Sequence, residues 1–154
     1  MDGSISVAFV VDSIKKYFID HLQTDQNILT IFDKTLTAVL TDLPSVNEFT
    51  IFSLGSMYYD TVGESIFPIH CCTTEDTEGW RLVRLVDKVV ALLIATNESD
   101  NICRIPLYDT TVSGNWQEIG KLLCLDFHVG GQTNITDATK YQVITVTIKW
   151  PMKI

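Results

Sequence analysis

The side chains of this sequence that could do chemistry are four cysteines, three histidines and a cluster of acidic residues. The thiols and imidazoles belong to Cys71, Cys72, Cys103, Cys124, His21, His70 and His128. A nucleophilic thiol needs a base beside it, yet adjacent residues of a strand, such as His70 and Cys71, point to opposite faces. No CxxC spacing occurs, and the histidines complete no zinc-binding pattern. We therefore expect free, buried thiols and no metal.

The acidic cluster and the only Gly-Gly pair also lack the context of a site. Glu75, Asp76 and Glu78 could bind a cation, but their spacing matches no calcium loop. They precede a helical pattern, where carboxylates interact favourably with the positive end of the helix dipole. Gly130-Gly131 has neither the Lys-Ser/Thr of a phosphate loop nor the GxGxxG context. The sequence therefore predicts no catalytic residue, no cofactor and no enzyme activity.

Composition narrows the class of protein further. With 154 residues, 46% of them apolar, the chain suits a single domain over residues 1–154 whose core needs no staple. The 11 basic residues face 19 acidic ones, for a net charge of −8. Because nucleic-acid affinity rests mainly on Lys and Arg, we expect no sequence-specific nucleic-acid binding. No stretch approaches the roughly 18 apolar residues of a membrane span, so no membrane partner is expected.

Hydrophobic spacing predicts two helices. The first is indicated by apolar residues at helical intervals, namely Val7, Val10, Val11, Ile14, Phe18 and Leu22. The second, over residues 78–94, has one apolar stripe: Leu82, Leu85, Val86, Val89, Leu92 and Leu93. Between them, residues 27–41 combine helical register with a β-branched tail. That segment leaves helix and strand both open.

Alternating apolar and polar residues predict five strands, at residues 48–54, 66–73, 103–108, 119–127 and 144–150. Gly55 and Gly63 bracket a turn region, and residues 128–140 form a polar loop. Pro68 cannot donate to a ladder, so its strand is predicted at a sheet edge or beside a bulge. An edge of this kind pairs readily with another subunit. The order of elements favours an α+β fold with a mainly antiparallel sheet packed against two helices.

Residues that could bind a partner are predicted in two kinds of segment. Four aromatic residues lie in or beside predicted loops: Tyr58, Tyr59, Trp80 and Trp116. A large ring in a loop needs either cover from its own sheet or a partner, and we take Tyr58, Tyr59 and Trp116 as interaction candidates. The loop 128–140 is long for a structureless connection, which favours a binding role. Its candidate residues are Gly130, Gly131, Asn134 and Thr136.

The order of elements resembles the tail-terminator and tail-completion proteins of long-tailed bacteriophages. Three segments carry the resemblance: the N-terminal VAFVVDSIKKYFIDHL, the strand-to-helix IFPIHCCTTEDTEGWRLVRLVDKVVALLI and the closing TDATKYQVITVTIKW. The resemblance covers most of the chain and implies no catalytic residue.

Membership of that family implies a structural protein of the virion, assembled in the host cytoplasm. Such proteins form rings, usually hexamers, that stop growth of the tail tube and join the tail to the head. The implied partners are copies of the same chain, the tail tube protein and a neck or head-completion protein. An acidic ring could line the passage for DNA. A second possibility of the same kind is another neck or tube component, and the alternative from a different class is a cytosolic adaptor or inhibitor domain that binds a host protein.

Overall fold

The structure, a computed structural model, describes residues 5–59 and 61–151. Within these residues it contains the helices α1 Val7–Phe18, α2 Leu36–Asp42 and α3 Trp80–Ala91, and a π-helical segment, Ile19–Thr24, that extends α1. The strands are β1 Leu29–Phe32, β2 Glu48–Phe52, β3 Met57–Tyr59, β4 Val62–Thr73, β5 Cys103–Asp109, β6 Gln117–Val129, β7 Thr133–Asn134 and β8 Lys140–Pro151. The predicted α+β class with a mainly antiparallel sheet is confirmed.

One sheet contains all these strands, in the order β1-β2-β4-β8-β6-β5. β3 joins β4 on the same edge as β2, and β7 joins β8 on the same edge as β6. β1 and β2 run parallel, whereas the other pairs are antiparallel. β4 and β8 stay in register over their whole length, from Val62 opposite Pro151 to Thr73 opposite Lys140. This central pair defines the two ends of the sheet.

Two helices cover one face of the sheet and enclose the main core. The hydroxyl of Ser6 caps α1 by accepting the N–H of Ala8. The residues that α1 and α3 bury against the sheet are Phe9, Val10, Ile14, Phe18, Leu82, Leu85, Val86 and Val89. They belong to one cluster with Phe67, Ile69, Ile144 and Val146 of the central strands. In the described part of the chain, no helix has the length and apolar character needed to cross a membrane.

Segment 27–41, for which helix and strand were both open, contains one of each. Leu29–Phe32 forms β1, and Leu36–Asp42 forms α2 after Thr35, whose hydroxyl accepts the N–H of Ala38. α2 packs on the second face of the sheet and buries Val39 in a small cluster with Phe49, Ile51 and Cys72. A third helix therefore adds to the two that the spacing predicted.

The predicted position of the Pro68 strand, at an edge or beside a bulge, is wrong. β4 lies between β2 and β8 and pairs with both without a bulge. The proline is tolerated because β2 pairs with β4 only as far as Ile69, and the pairing of β4 with β3 involves only residues up to Ser65. The Pro68 carbonyl accepts the N–H of Ser53 at 3.4 Å from that side. The backbone N and O of one strand residue point towards the same neighbouring strand. The N–H that Pro68 lacks would therefore point into this gap, and its absence removes no hydrogen bond between β4 and β8.

Three predicted boundaries also move. The turn region bracketed by Gly55 and Gly63 contains β3 and the start of β4. The loop 128–140 shortens to residues 130–139, because β6 runs to Val129 and β8 begins at Lys140, and β7 lies inside it. α3 starts at Trp80 and not at residue 78, because Gly79 adopts a left-handed conformation with φ of 74° that an α-helix cannot contain.

The outer strands of the main order are β1 and β5, and side chains from other elements accept hydrogen bonds from their backbones, whereas the short β3 and β7 each pair on one side only. α1 crosses the free edge of β5, where the N–H of Tyr108 donates to the buried hydroxyl of Ser13 at 2.9 Å. β1 is only 4 residues long, and its Thr30 N–H donates to the side-chain oxygen of Gln23 at 3.2 Å. Short or covered edges resist pairing with another sheet. These two edges therefore offer little free backbone to a further strand.

Candidate functional site

At one end of the sheet, β3 pairs with the start of β4, and the end of β8 pairs with the other side of β4. We call this the tyrosine end, and its residues are Tyr58, Tyr59, Gly63, Ser65 and Trp150. Tyr59 lies opposite Gly63, and its ring meets the buried Trp150 ring edge to face, with centroids 6.0 Å apart. Burial raises the pKa of the Tyr59 hydroxyl. Tyr58 points to the other face and is 59% exposed. Tyr58 is therefore the more exposed of the two, and Tyr59 keeps 38% of its surface exposed.

Beside the backbone ladder of β3, β4 and β8, the side chains of the tyrosine end are held by apolar packing. A Cβ at Gly63 would overlap the Trp150 indole, so the ring lies directly on the glycine backbone. The hydroxyl of Ser65 and the indole nitrogen of Trp150 are buried and find no hydrogen-bond partner within residues 5–59 and 61–151. Buried polar atoms normally have partners, so this end carries an energetic cost that its packing offsets.

Trp116 lies away from the two tyrosines. It precedes β6 on the side of the sheet where β8 ends, but β4 and β8 separate β3 from β6. Its ring is 37% exposed and lies 6.2 Å from the ring of Tyr108, centroid to centroid. With Lys15 and Gly114 it lines a groove of about 570 Å³ between α1 and the β5–β6 turn. The structure thus divides the predicted aromatic residues between two places.

The opposite end of the sheet, which we call the loop end, comprises residues 130–139, residues 74–79, the start of α3 and the end of α2. The loop is anchored to β8 at Gly130, whose N–H donates to the Val143 carbonyl at 2.8 Å. The side-chain amide of Gln142 donates to the Gly130 carbonyl at 2.6 Å. Gly131 adjoins open space. Gly130 therefore has a structural task, whereas Gly131 lies at the surface.

Asn134 and Thr136 use their side-chain oxygens inside the loop. The Asn134 oxygen accepts hydrogen bonds from the Gln132 amide and the Lys140 ammonium group, each at 3.2 Å. The Thr136 hydroxyl accepts the N–H of Thr139 at 3.0 Å. The predicted loop residues therefore shape this segment, and Asn134 and Thr136 also remain exposed at its surface.

Asp76 joins the loop to the start of α3. Its N–H donates to the Ala138 carbonyl at 2.9 Å, and its carboxylate accepts the Leu82 N–H and the Thr73 hydroxyl, both at 2.9 Å. Burial alone would raise the pKa of this carboxyl, but the hydrogen bonds outweigh burial and lower the pKa. One member of the predicted acidic cluster is thus a helix cap.

The most exposed apolar side chains of the loop end were not among the predicted interaction residues. Trp80 is 68% exposed, and Val83, on the same helix face three residues later, is 53% exposed. Ile135 and Leu43 are 46% and 40% exposed and line one cleft of about 330 Å³. The exposure of Val83 could have been predicted from the sequence, because it lies off the buried stripe of α3 and three residues after Trp80. Nothing in the sequence places Leu43 beside Ile135.

The described residues contain no group with the geometry of a catalytic or metal site. No three His, Cys, Asp or Glu side chains among them come together as metal ligands would. His70 lines a cleft of about 400 Å³ with Asp33 and Ser53, and burial lowers its pKa. A relay would need hydrogen bonds between these side chains, and the described part of the chain shows none. Burial raises the pKa of the Cys71 thiol to about 12, so little of this thiol is thiolate near neutral pH.

Comparison with known proteins relates the chain to others by fold. No protein-family model matches it, and no curated protein matches its sequence. Eight chains of solved structures match its structure. One, whose name is a sequence identifier, aligns over 94% of this chain and 95% of its own, with a TM-score of 0.58 and 10% identity. The fold is a shared one. At this identity the likeness shows the fold alone.

Proposed function

We propose that this chain is a structural assembly protein of a phage tail, a ring-forming subunit that terminates the tail tube and joins it to the head. The proposal combines the family resemblance of the sequence with the shape of the molecule. Its partners are then copies of itself, the tail tube protein and a neck or head-completion protein, and its location is the virion.

The observation that carries the proposal is the presence of two different exposed surfaces at opposite ends of one sheet. The tyrosine end presents Tyr58, and the loop end presents Trp80 with Val83. A ring forms by head-to-tail contacts, in which each subunit offers two unlike surfaces, one to each neighbour. An adaptor that binds a single protein needs only one. Trp and Tyr are also the residue types most enriched where binding energy is concentrated.

Light scattering after size-exclusion chromatography tests ring formation. The monomer mass is 17.3 kDa, and we expect a defined oligomer of several times that mass as the concentration is raised. Electron microscopy of the same sample should show closed rings. A mass that stays at the monomer value at every concentration would contradict the proposal and favour an adaptor.

Surface variants test which side chains make the contact. Tyr58→Ser and Trp80→Ser should each weaken assembly by about 30-fold or more, since loss of a central aromatic contact costs about 2 kcal/mol or more. Leu125→Ser is the matched control, because Leu125 is an exposed apolar residue, 44% accessible, in the middle of β6 and away from both ends of the sheet. An equal weakening of assembly in the control and in the two end variants would mean that assembly does not depend on the ends of the sheet.

Labelling tests the place in the virion. Antibodies raised against the chain and detected with gold particles should mark the junction of head and tail on phage particles from the host that carries the gene. Label confined to free protein, or spread along the tail, would contradict a terminator at that junction even if rings form.

A further inference from the structure

Two of the cysteines, Cys103 and Cys124, lie directly opposite each other on β5 and β6. Both are buried on the helix-covered face, with 6% and 4% of their surface exposed. Residues directly opposite in an antiparallel pair have Cα atoms about 4.5–5.5 Å apart. That separation lies within the range of about 4.4–6.8 Å that a disulfide spans. The register therefore places these two residues at a backbone separation that a disulfide can span.

The other two cysteines cannot do the same. Cys71 and Cys72 are neighbours on β4, and their side chains point to opposite faces, Cys71 into the main core and Cys72 into the small cluster under α2. Their opposite residues on β8 are Gln142 and Tyr141. The chain thus holds one cross-strand thiol pair and two isolated thiols, which serve as an internal control.

The surroundings of the pair can accommodate a bond between the two sulfur atoms. The thiol of Cys103 donates to the Leu92 carbonyl at 3.2 Å, and the hydroxyl of Tyr17 donates to the same carbonyl at 2.7 Å. If Cys103 loses its thiol hydrogen, the Leu92 carbonyl still accepts the hydrogen bond from Tyr17. The site is also where α1, the end of α3 and the β5–β6 pair meet.

A cavity gives small molecules a route to one of the two thiols. Cys124 lines a cavity of about 500 Å³ whose wall also includes Leu93, Asn101, Ile102 and Phe127. The neighbouring residue Leu125 is the extra residue of a β-bulge and is 44% exposed. The cavity thus opens towards Cys124, and Cys103 is not among the residues that line it.

We propose that Cys103 and Cys124 form a redox modification site that a low-molecular-weight disulfide, such as oxidised glutathione, converts to a cross-strand disulfide. The Cys124 thiolate attacks one sulfur of the small disulfide, which gives a mixed disulfide and releases one thiol. The Cys103 thiolate then attacks the Cys124 sulfur and releases the second thiol. The two protein thiols are oxidised by two electrons, the small disulfide is reduced by two, and the protons pass to the released thiols.

The native fold makes this reaction slow and its product stabilising. Burial raises the pKa of Cys124 to about 12 and also raises the pKa of Cys103, so little thiolate is present near neutral pH. The bond would fix β5 to β6 and close the intervening turn, which restricts the unfolded chain. Protein made under reducing conditions would therefore stay reduced, and prolonged exposure to an oxidising medium would lock it.

The test exposes reduced, folded protein to oxidised glutathione at pH 8.5, then alkylates it in denaturant and measures its intact mass and its peptides. We expect two alkylated cysteines, Cys71 and Cys72, one peptide pair joined through Cys103 and Cys124, and a melting temperature several degrees above that of the reduced form. Four alkylated cysteines, a different pairing or a lower melting temperature would overturn the proposal.

Two variants separate the pair from general thiol reactivity. Cys103→Ala lacks the second thiol, so it should retain one glutathione on Cys124 as a mixed disulfide. The double variant Cys71→Ala, Cys72→Ala should still form the bond. A Cys103→Ala protein without any adduct, at a concentration that oxidises the wild type, would show that Cys124 is not the first thiol to react.

Discussion

The two ends of the sheet are built by different means. At the loop end, hydrogen bonds hold the chain: Asp76 caps α3 and binds the loop, while Asn134 and Thr136 turn their oxygens inward. At the tyrosine end, aromatic rings pack on a glycine, and two buried polar atoms have no partner within the described ranges. A surface can therefore be kept in place either by directional hydrogen bonds or by close packing of side chains. Substitutions that add volume should destabilise the tyrosine end, and substitutions that remove a hydrogen-bond acceptor should destabilise the loop end.

The largest effect is expected from a change of shape at the tyrosine end. Gly63→Ala should destabilise the protein by about 3 kcal/mol, because the added methyl group overlaps the Trp150 ring and a packed core resists added volume. Urea denaturation followed by tryptophan fluorescence measures the change. Gly131→Ala at the loop end is the matched control, since its methyl group enters open space, and it should change the free energy of unfolding by less than about 0.5 kcal/mol. A similar decrease in the free energy of unfolding for both variants would contradict the proposed difference between the two ends.

A smaller effect is expected from the loss of the cap at the loop end. Asp76→Ala should cost about 2 kcal/mol at pH 7, because the Leu82 N–H and the Thr73 hydroxyl lose their acceptor. Glu78→Gln, at an exposed neighbouring carboxylate, is the control and should be nearly neutral. Equal stability of the Asp76→Ala protein and the wild type would mean that the cap contributes nothing.

The same carboxyl group makes a pH prediction. Folding lowers the pKa of Asp76 below its value in the unfolded chain, about 3.9. Its stabilisation is therefore complete well above pH 4 and is lost as the pH falls from about 4 through the lower folded-state pKa. The difference in free energy of unfolding between wild type and Asp76→Asn should shrink in that range. A difference that stays constant from pH 7 to pH 3 would contradict the assignment.

The smallest effect, and the only one of opposite sign, is expected at Ser65. Its buried hydroxyl has no hydrogen-bond partner in the described part of the chain, so Ser65→Ala removes a desolvated group without breaking a bond. The variant should be as stable as the wild type or more stable, by up to about 1 kcal/mol. Destabilisation by more than that amount would mean that an ordered water or another group binds the hydroxyl.

Sequence patterns predicted those parts of the fold that depend on local periodicity. The stripe Leu82, Leu85, Val86 and Val89 is buried as expected, because one face of a long helix must meet the core. Pro68 was misplaced because the rule for proline concerns one hydrogen bond, whereas a long strand such as β4 can have different neighbours along one edge. β3 was missed because it is only 3 residues long and pairs only with the start of β4, the next strand in the sequence.

The candidate surface was predictable only in part. Tyr58 is exposed as its loop-like context indicated, but Tyr59 is held by Trp150, which stands almost a hundred residues away in the sequence. The loop residues Asn134 and Thr136 bond within their own segment, and polar composition does not distinguish such internal use from binding. Trp80 and Val83 present the larger apolar surface, because Gly79 ends the preceding turn and starts the helix with the indole outward.

The measurement that tests the central claim most directly is light scattering on a mixture of the two end variants. If assembly joins the tyrosine end of one subunit to the loop end of the next, Tyr58→Ser and Trp80→Ser each lack one surface, and each should be monomeric near the concentration at which the wild type assembles. Mixed in equal amounts, they retain one complete contact between them and should form a dimer of about twice the monomer mass that grows no further. A variant that dimerises alone, or a mixture that grows to the full wild-type oligomer, would contradict the head-to-tail account.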